Sequence, residues 1–334
     1  MKRANNLFDQ ITDYANIRSA FLKALRGNRA SPSAIVFCKN IERSLATVRV
    51  KLETLHCDWG EYHAFQINDP KPRVINVAPF EQRVMHHAIM NVLEPVFERP
   101  MICHSYACRK NKGVHAAALY AFHQCKHSAW FLKLDMRHYF DSIDHATLKN
   151  TIRTLIKDVK TLAMLDDLID SFHTEHGKGV PIGNLTSQFF ANLYLAGMDH
   201  YIIERLRPAA YCRYMDDFAL WGDSPDALKQ WLDAARTYAA SLALTVKPPI
   251  LGRTAQGLPF LGFLIKDRGV FLLQKSRKRA RERMAQISAG LADGSISEEK
   301  AAERALSVFA AIKLARCGRF RLGESASGSN GSKL

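Results

Sequence analysis

The chain has 334 residues, 47% apolar and 24% charged, which is ordinary for a soluble globular protein and enough for two or three folding units. No apolar run approaches a bilayer span, and the start MKRANNLFDQ lacks the apolar stretch of a secretory signal, which argues against embedded and secreted classes. Against 32 Asp and Glu stand 47 Lys and Arg, a formal net charge of +15, and such an excess suits a polyanionic partner, nucleic acid first among them.

Residues 1–55 read as a helical N-terminal extension. Leu7, Ile11, Tyr14, Ile17 and Phe21 fall near the 3.6-residue period, and RGNRASPS at 26–33 is a polar break. Residues 61–78 alternate and hold two prolines, the pattern of paired short strands. Helical periodicity returns over 80–97 and 112–128, and WFLKLD at 130–135 reads as a buried strand ending in an acid. Residues 146–173 read as helix, GKGVPIG at 177–183 as a loop, and 187–206 as one long helix capped near Asn184 or Thr186. A strand–turn–strand at 211–221, an amphipathic helix at 224–242 and a strand pair around 258–273 follow. A basic helical segment at 275–321 comes last, and the tail GESASGSNGSKL is too small and polar to pack. Its SKL ending matches a peroxisomal address, a weak three-residue signal. Strands and helices intermix in an α+β layout, a sheet with helices packed behind it.

Seven cysteines, at 38, 57, 103, 108, 125, 212 and 317, form no CxxC pair, which argues for reduced thiols and an intracellular, cytoplasmic setting. His123, Cys125 and His127 alternate along a helix and so fall on different faces; they are read as incidental rather than as a metal cluster. KSRKRARER at 275–283 holds six basic residues to one acid. It is either a solvated helix face or a face that tracks phosphates.

Two adjacent acids, Asp216 and Asp217, interrupt the apolar run AYCRYMDDFALWG. Alone, they fit a hairpin turn as well as a metal site. Asp135 ends the strand at 130–135, and if the strands are neighbours the three carboxylates converge at the sheet edge. Such a set could hold two divalent ions, Mg2+ being the ion that prefers carboxylates, waters and phosphate oxygens.

KLDMRHYFDSI (133–143), GVPIGNLTSQFFANLYL (179–195), RYMDDF (213–218) and PFLGFLI (259–265) resemble, in order and spacing, the signature blocks of reverse transcriptases. The resemblance covers roughly 60–273 and implies a right-hand polymerase fold. Residues 56–273 would form fingers and a palm with an antiparallel sheet, 274–322 a short helical thumb, and 323–334 a disordered tail. Most reverse transcriptases have Gln-Gly and then Ser-Pro in the second of these blocks. Here Ile182-Gly183 and Ser187-Gln188 stand instead, the variant of reverse transcriptases of diversity-generating retroelements. NLFDQIT (6–12), SYACR (105–109) and the compact basic segment resemble that group too.

The resemblance implies an RNA-directed DNA polymerase, prokaryotic or phage-encoded, that copies a template RNA into cDNA with errors at template adenines. Its partners would be template RNA, primer and cDNA, dNTPs, and an oligomeric, basic accessory variability-determinant protein. It implies Asp135 and Asp216, with the Met136 carbonyl, as ligands of two Mg2+ ions (Mn2+ as the alternative), and Asp217 as their support. Lys71 and Arg73 would contact the triphosphate, as Arg does well through its planar fork. Phe140 is either a steric gate beneath the sugar or a core ring. Gly183 would let the backbone approach the nucleotide, and Ser187 and Gln188 begin the helix behind the templating base. Ile182 offers shape where Gln would offer a hydrogen bond, which lowers discrimination. The family's general-acid Lys falls near Ile250, and Lys247 lies slightly early for that role. Lys275, Arg277, Lys278, Arg279, Arg281 and Arg283 would grip the template–primer duplex. Another prokaryotic reverse transcriptase (retron, phage-defence or group II intron-like) and a non-catalytic RNA-binding scaffold are the alternatives.

Overall fold

A computed structural model describes residues 2–67 and 72–315 of the chain. Lys71, Cys317 and the segment 316–334 therefore lie outside the described residues.

The N-terminal region is helical as its periodicity predicts, in four pieces: α1 (Phe8–Thr12), α2 (Tyr14–Leu25), α3 (Pro32–Cys38) and α4 (Ile41–Thr54). Local capping explains the divisions. Asp13, Ser31 and Asn40 each accept a hydrogen bond from the backbone N–H three residues on. The apolar stripe of these helices, including Ile11, Ile17, Phe21, Leu45 and Leu52, is buried against α5 (Phe80–Glu98). Before α5, β1 (His63–Ile67) and β2 (Arg73–Val77) pair as an antiparallel hairpin.

After α6 (Val114–His127) and β3 (Trp130–Asp135), the helical stretch expected at 146–173 is split into α7 (His145–Leu155) and α8 (Val159–Asp170). Contacts from the distant N-terminus cause the break. Ala4 bridges Ile156, and the Asp158 carboxylate caps α8 while accepting from the N–H groups of Leu7 and Phe8 at 2.7 and 3.1 Å. The helix expected at 187–206 is likewise divided. It runs as α9 (Leu185–Tyr194), α10 (Ala196–Tyr201) and a π-helical turn at Ile202–Leu206.

β4 (Ala210–Tyr214) and β5 (Asp217–Gly222) form the expected hairpin, and α11 (Pro225–Ser241) follows. A strand not anticipated, β6 (Ile250–Arg253), completes a four-stranded antiparallel sheet of order β4-β5-β3-β6. The strand pair expected near 258–273 is a three-stranded meander, β7 (Leu258–Phe260), β8 (Phe263–Lys266) and β9 (Gly269–Leu272). The basic segment divides into α12 (Gln274–Ala292) and α13 (Glu298–Ile312).

Strand alternation sorts the four-stranded sheet into two faces. Leu132, Leu134, Tyr211, Phe218 and Leu220 face the main core with α9 and α11, while Phe131, Cys212, Ala219 and Trp221 join a second core with α6 and the meander. Lys133, Asp135 and Asp217 share the second face by the same alternation, and Asp135 and Asp217 close the β3–β5 ladder at the end nearest the β4–β5 turn. Among the described residues no helix is long and apolar enough to cross a membrane.

Candidate active site

The site is built on the β4–β5 hairpin, whose connection is Met215 and Asp216. Met215 has φ +58, positive at the first position of a two-residue turn, where glycine is the usual choice. A non-glycine residue held there is strained, and such strain gathers at functional sites.

Register brings the acids together. Asp135 stands opposite Asp217 across β3 and β5, and Asp216 is the neighbouring turn residue. Beyond the strand, Met136 bridges Val246 through its neighbours: Arg137 N–H donates to Thr245 and Lys247 N–H donates to the Asp135 carbonyl, both at 2.8 Å. The Met136 carbonyl takes no part in those two bonds. The same bridge delivers Lys247, whose Nζ lies 2.7 Å from Asp135 Oδ1. Lys133 Nζ lies 2.8 Å from Asp217 Oδ1.

Burial dominates the electrostatics. It pushes the Asp217 carboxyl up to about 7, against the pull of Lys133 and with the repulsion of Asp135 and Asp216. Burial also raises Asp216, helped by the charge of Asp135 and opposed by its own backbone N–H, Lys247 and Arg73. Among the described residues no three His, Cys, Asp or Glu side chains close around one point as a metal cage would. The donor set nevertheless fits Mg2+, which takes one or two carboxylates and completes its shell with waters and phosphate oxygens. The ammonium groups at Asp135 and Asp217 mark where positive charge is wanted.

The nucleotide candidates divide. Arg73, exposed on β2, is close enough for its charge to act on Asp216. The Ile182 carbonyl accepts from Asn76 N–H of β2 at 2.8 Å, so the Ile182-Gly183 loop hangs on the strand that carries Arg73. Gly183 has φ +118, and a Cβ there would lie 2.8 Å from Ile75 Cγ2. The close approach that demands glycine is thus to β2, where sequence reasoning placed it toward the nucleotide. Tyr139 is the core ring, 3% exposed and bonded through its hydroxyl to the Ala191 carbonyl. Phe140, packed edge-on against Tyr139 with centroids 5.7 Å apart, is only half-buried. Ser187 is buried, and Gln188 Oε1 accepts from Cys108 Sγ at 3.2 Å.

Lys275, Arg277, Lys278, Arg281 and Arg283 are exposed along α12, and Arg279, less exposed, lines with Arg283 a groove of about 480 Å³ between α12, α13 and the β7–β8 turn. His123 and His127 sit on one face of α6 with rings 4.6 Å apart, and only Cys125 points elsewhere, accepting from Trp221 Nε1 at 3.4 Å. The three are separated, but not each from the other as alternation suggested.

Sequence reasoning passed over Lys133 and Arg213. Both are charges inside apolar strands, the same signal that singled out Asp216 and Asp217. Arg213 has no exposed surface and pairs with the equally buried Asp199 at 2.6 Å.

Telomerase from Candida tropicalis in its apo form aligns with a TM-score of 0.52 at 14% identity, over 77% of this chain and 59% of that one. That likeness shows the right-hand polymerase fold. Protein YkfC of Escherichia coli K12 is 26% identical over 192 residues, 45% of this chain and 50% of YkfC. The group II intron-encoded protein LtrA of Lactococcus lactis subsp. cremoris is 26% identical over 143 residues, 41% of this chain and 24% of LtrA. The chain thus spans half or less of the length of these relatives. Residues 67–265, more than half of the chain, match the family described as reverse transcriptase (RNA-dependent DNA polymerase). With three acids gathered at one end of its four-stranded sheet and that match over more than half of its length, the chain belongs to the reverse transcriptase family.

Proposed function

We propose that the chain is an RNA-directed DNA polymerase of the diversity-generating type, copying a template RNA into cDNA with errors at template adenines. The observation that carries the polymerase reading is the convergence of Asp135, Asp216 and Asp217 with Lys133 and Lys247 at one end of a four-stranded sheet, beside Arg73 of the β1–β2 hairpin. Ile182 and Ser187-Gln188 support the subtype.

In this reading Asp135, Asp216 and the Met136 carbonyl would hold two Mg2+ ions, with Asp217 in support. When bound, the ions lower the pKa of the attacking 3′-hydroxyl and steady the leaving oxyanion. Arg73, with Lys71, orients the triphosphate, Phe140 excludes a 2′-hydroxyl, and Ile182 leaves pairing to be judged by shape. Gly183 lets the Ile182 loop lie against β2. Gln188 stands behind the templating base. The cationic face of α12 follows the template–primer duplex, and an accessory variability-determinant protein joins the complex.

The test is primer extension with Mg2+ and dNTPs on an adenine-containing RNA, with and without the accessory protein, followed by cDNA sequencing. Synthesis abolished by Asp216→Ala and Asp135→Asn, with RNA binding kept, is expected. Synthesis indifferent to both changes overturns the assignment, and faithful copying under every condition overturns the diversity-generating reading alone. Faithful copying would favour the group II intron-like alternative, the class to which the relative LtrA belongs by name.

A further inference from the structure

Arg213 is a full charge in the middle of a strand with no exposed surface. Its backbone is held first: its N–H donates to His104 O and its carbonyl accepts from Tyr106 N–H, both at 2.9 Å. Its side chain then spends every direction of the guanidinium fork. Nε and Nη2 donate to the two carboxylate oxygens of Asp199 at 2.7 and 2.6 Å, and Nη1 and Nη2 donate to Asn192 Oδ1 and the Asn192 carbonyl at 3.1 and 3.2 Å. The remaining bond runs from Nη1 to the carbonyl of Met215 at 3.0 Å. Asp199 is fixed in turn by the Tyr211 hydroxyl at 2.5 Å, and Asn192 donates to Ala107 O at 2.8 Å.

Burial by itself would lower the Arg213 pKa, but the Asp199 carboxylate more than offsets this and holds the guanidinium charged. A buried ion pair is a poor way to gain stability, since an apolar pair of similar volume often does as well. What the fork supplies is direction. A single rigid plane ties α9 and α10, through Asn192 and Asp199, to the first residue of the turn that presents Asp216. That residue has the positive φ that a side-chain-bearing residue adopts only when its surroundings hold it.

We propose that Arg213 is a positioning residue: its guanidinium holds the Met215 carbonyl and so fixes the strained turn that aims Asp216 and Asp217. The role rests on the polymerase reading. Failure of the wild-type chain to extend a primer defeats that reading, whereas the variants below judge Arg213 only against an active wild type.

Arg213→Lys keeps a charge opposite Asp199 but cannot fork to Asn192 and Met215 as well. Its kcat for dNTP incorporation is expected to fall about 10- to 100-fold, with the KM for dNTP changed less than about threefold. Glycine accepts a positive φ without a clamp, so adding Met215→Gly should restore kcat about fivefold or more in the Arg213→Lys background and give no gain in the wild type. A merely structural Arg213 would lose kcat in step with the folded fraction seen by thermal melting and show no such rescue. A folded Arg213→Lys with unchanged kcat, or a loss that Met215→Gly does not relieve, overturns the proposal. If Arg213→Lys does not melt cooperatively, Asn192→Ala takes its place, since it removes one Nη1 acceptor and leaves the Asp199 pair. Rescue by Met215→Gly there supports the role, and its absence overturns it.

Discussion

Asp135 and Asp217 face each other across the β3–β5 ladder, and each is paired with its own lysine, Lys247 at 2.7 Å and Lys133 at 2.8 Å. Two like charges in adjacent register would otherwise repel within a half-buried site. The lysines relieve that repulsion and occupy oxygens that a divalent ion would also use. The site is therefore close to balanced in charge before nucleotide arrives with its phosphates.

Removing Lys247 separates two roles. Lys247→Ala frees Asp135, so Mg2+ binding measured by calorimetry without nucleotide should tighten. Turnover should nevertheless fall about 100-fold if this ammonium protonates the leaving pyrophosphate. Unchanged turnover would remove Lys247 from the chemistry, and unchanged Mg2+ binding would remove it from the charge balance.

Lys133 acts on the other acid. Burial already raises Asp217 to about 7, and Lys133 is the group that opposes the rise. Without it the carboxyl stays protonated to higher pH. Lys133→Met should therefore shift the acid limb of the pH–rate profile upward by about one unit. An acid limb that stays in place would show that Asp217 ionisation does not govern activity.

How much of this was legible before the fold was known depended on whether the cause was local. The β4–β5 hairpin and the Asp135 strand announce themselves by charges at the ends of apolar runs, and the four blocks give their order. The break at Asp158 was hidden because it is made by Ala4, Leu7 and Phe8, some 150 residues away in the chain. β6 was hidden because ILGR carries no alternation and becomes a strand by pairing with Trp130–Lys133 of β3. Lys247 seemed early when counted along the chain, yet the Met136–Val246 bridge brings it to Asp135. Asp199 and Arg213 lie on different elements, and only packing of α10 behind β4 makes them one network.

A buried histidine gives a pH dependence outside the metal site. His86 is fully buried against Trp59 and within 3.1 Å of the Thr186 hydroxyl, and desolvation lowers its pKa from 6.5 to about 3. A depressed histidine favours the fold while neutral, so its contribution is complete above about 6.5 and is lost as pH falls toward 3. Between pH 7.5 and 4.5 that loss is about 2–3 kcal/mol. His86→Gln should be less stable than wild type at pH 7.5 but lose less on acidification, as read by urea unfolding at the two pH values. Parallel slopes would show that another group carries the acid lability.

Ile182 tests the subtype at one position. Its carbonyl is held by Asn76 of β2, so a longer polar side chain can be tried without moving the loop. On the proposed function, Ile182→Gln puts a hydrogen-bonding group beside the nucleotide, and misincorporation opposite template adenine should fall about tenfold in sequenced cDNA. The same error rate at adenine, with polymerisation intact, would exclude Ile182 as a source of infidelity.

The α12 face should behave as a polyelectrolyte contact. Lys275 and Arg277 are exposed at its first turns, beyond the groove that Arg279 lines. Each phosphate contact releases condensed counterions, so its loss reduces the slope of log affinity against log salt by about 0.7–0.9. The Lys275→Ala, Arg277→Ala double variant should therefore bind template–primer more weakly at low salt and flatten the slope by about 1–2. Its dNTP KM should not change, because neither charge acts on Asp216 or Asp217. A weaker complex with an unchanged salt slope would mean that these side chains support the packing of α12 and do not contact phosphate.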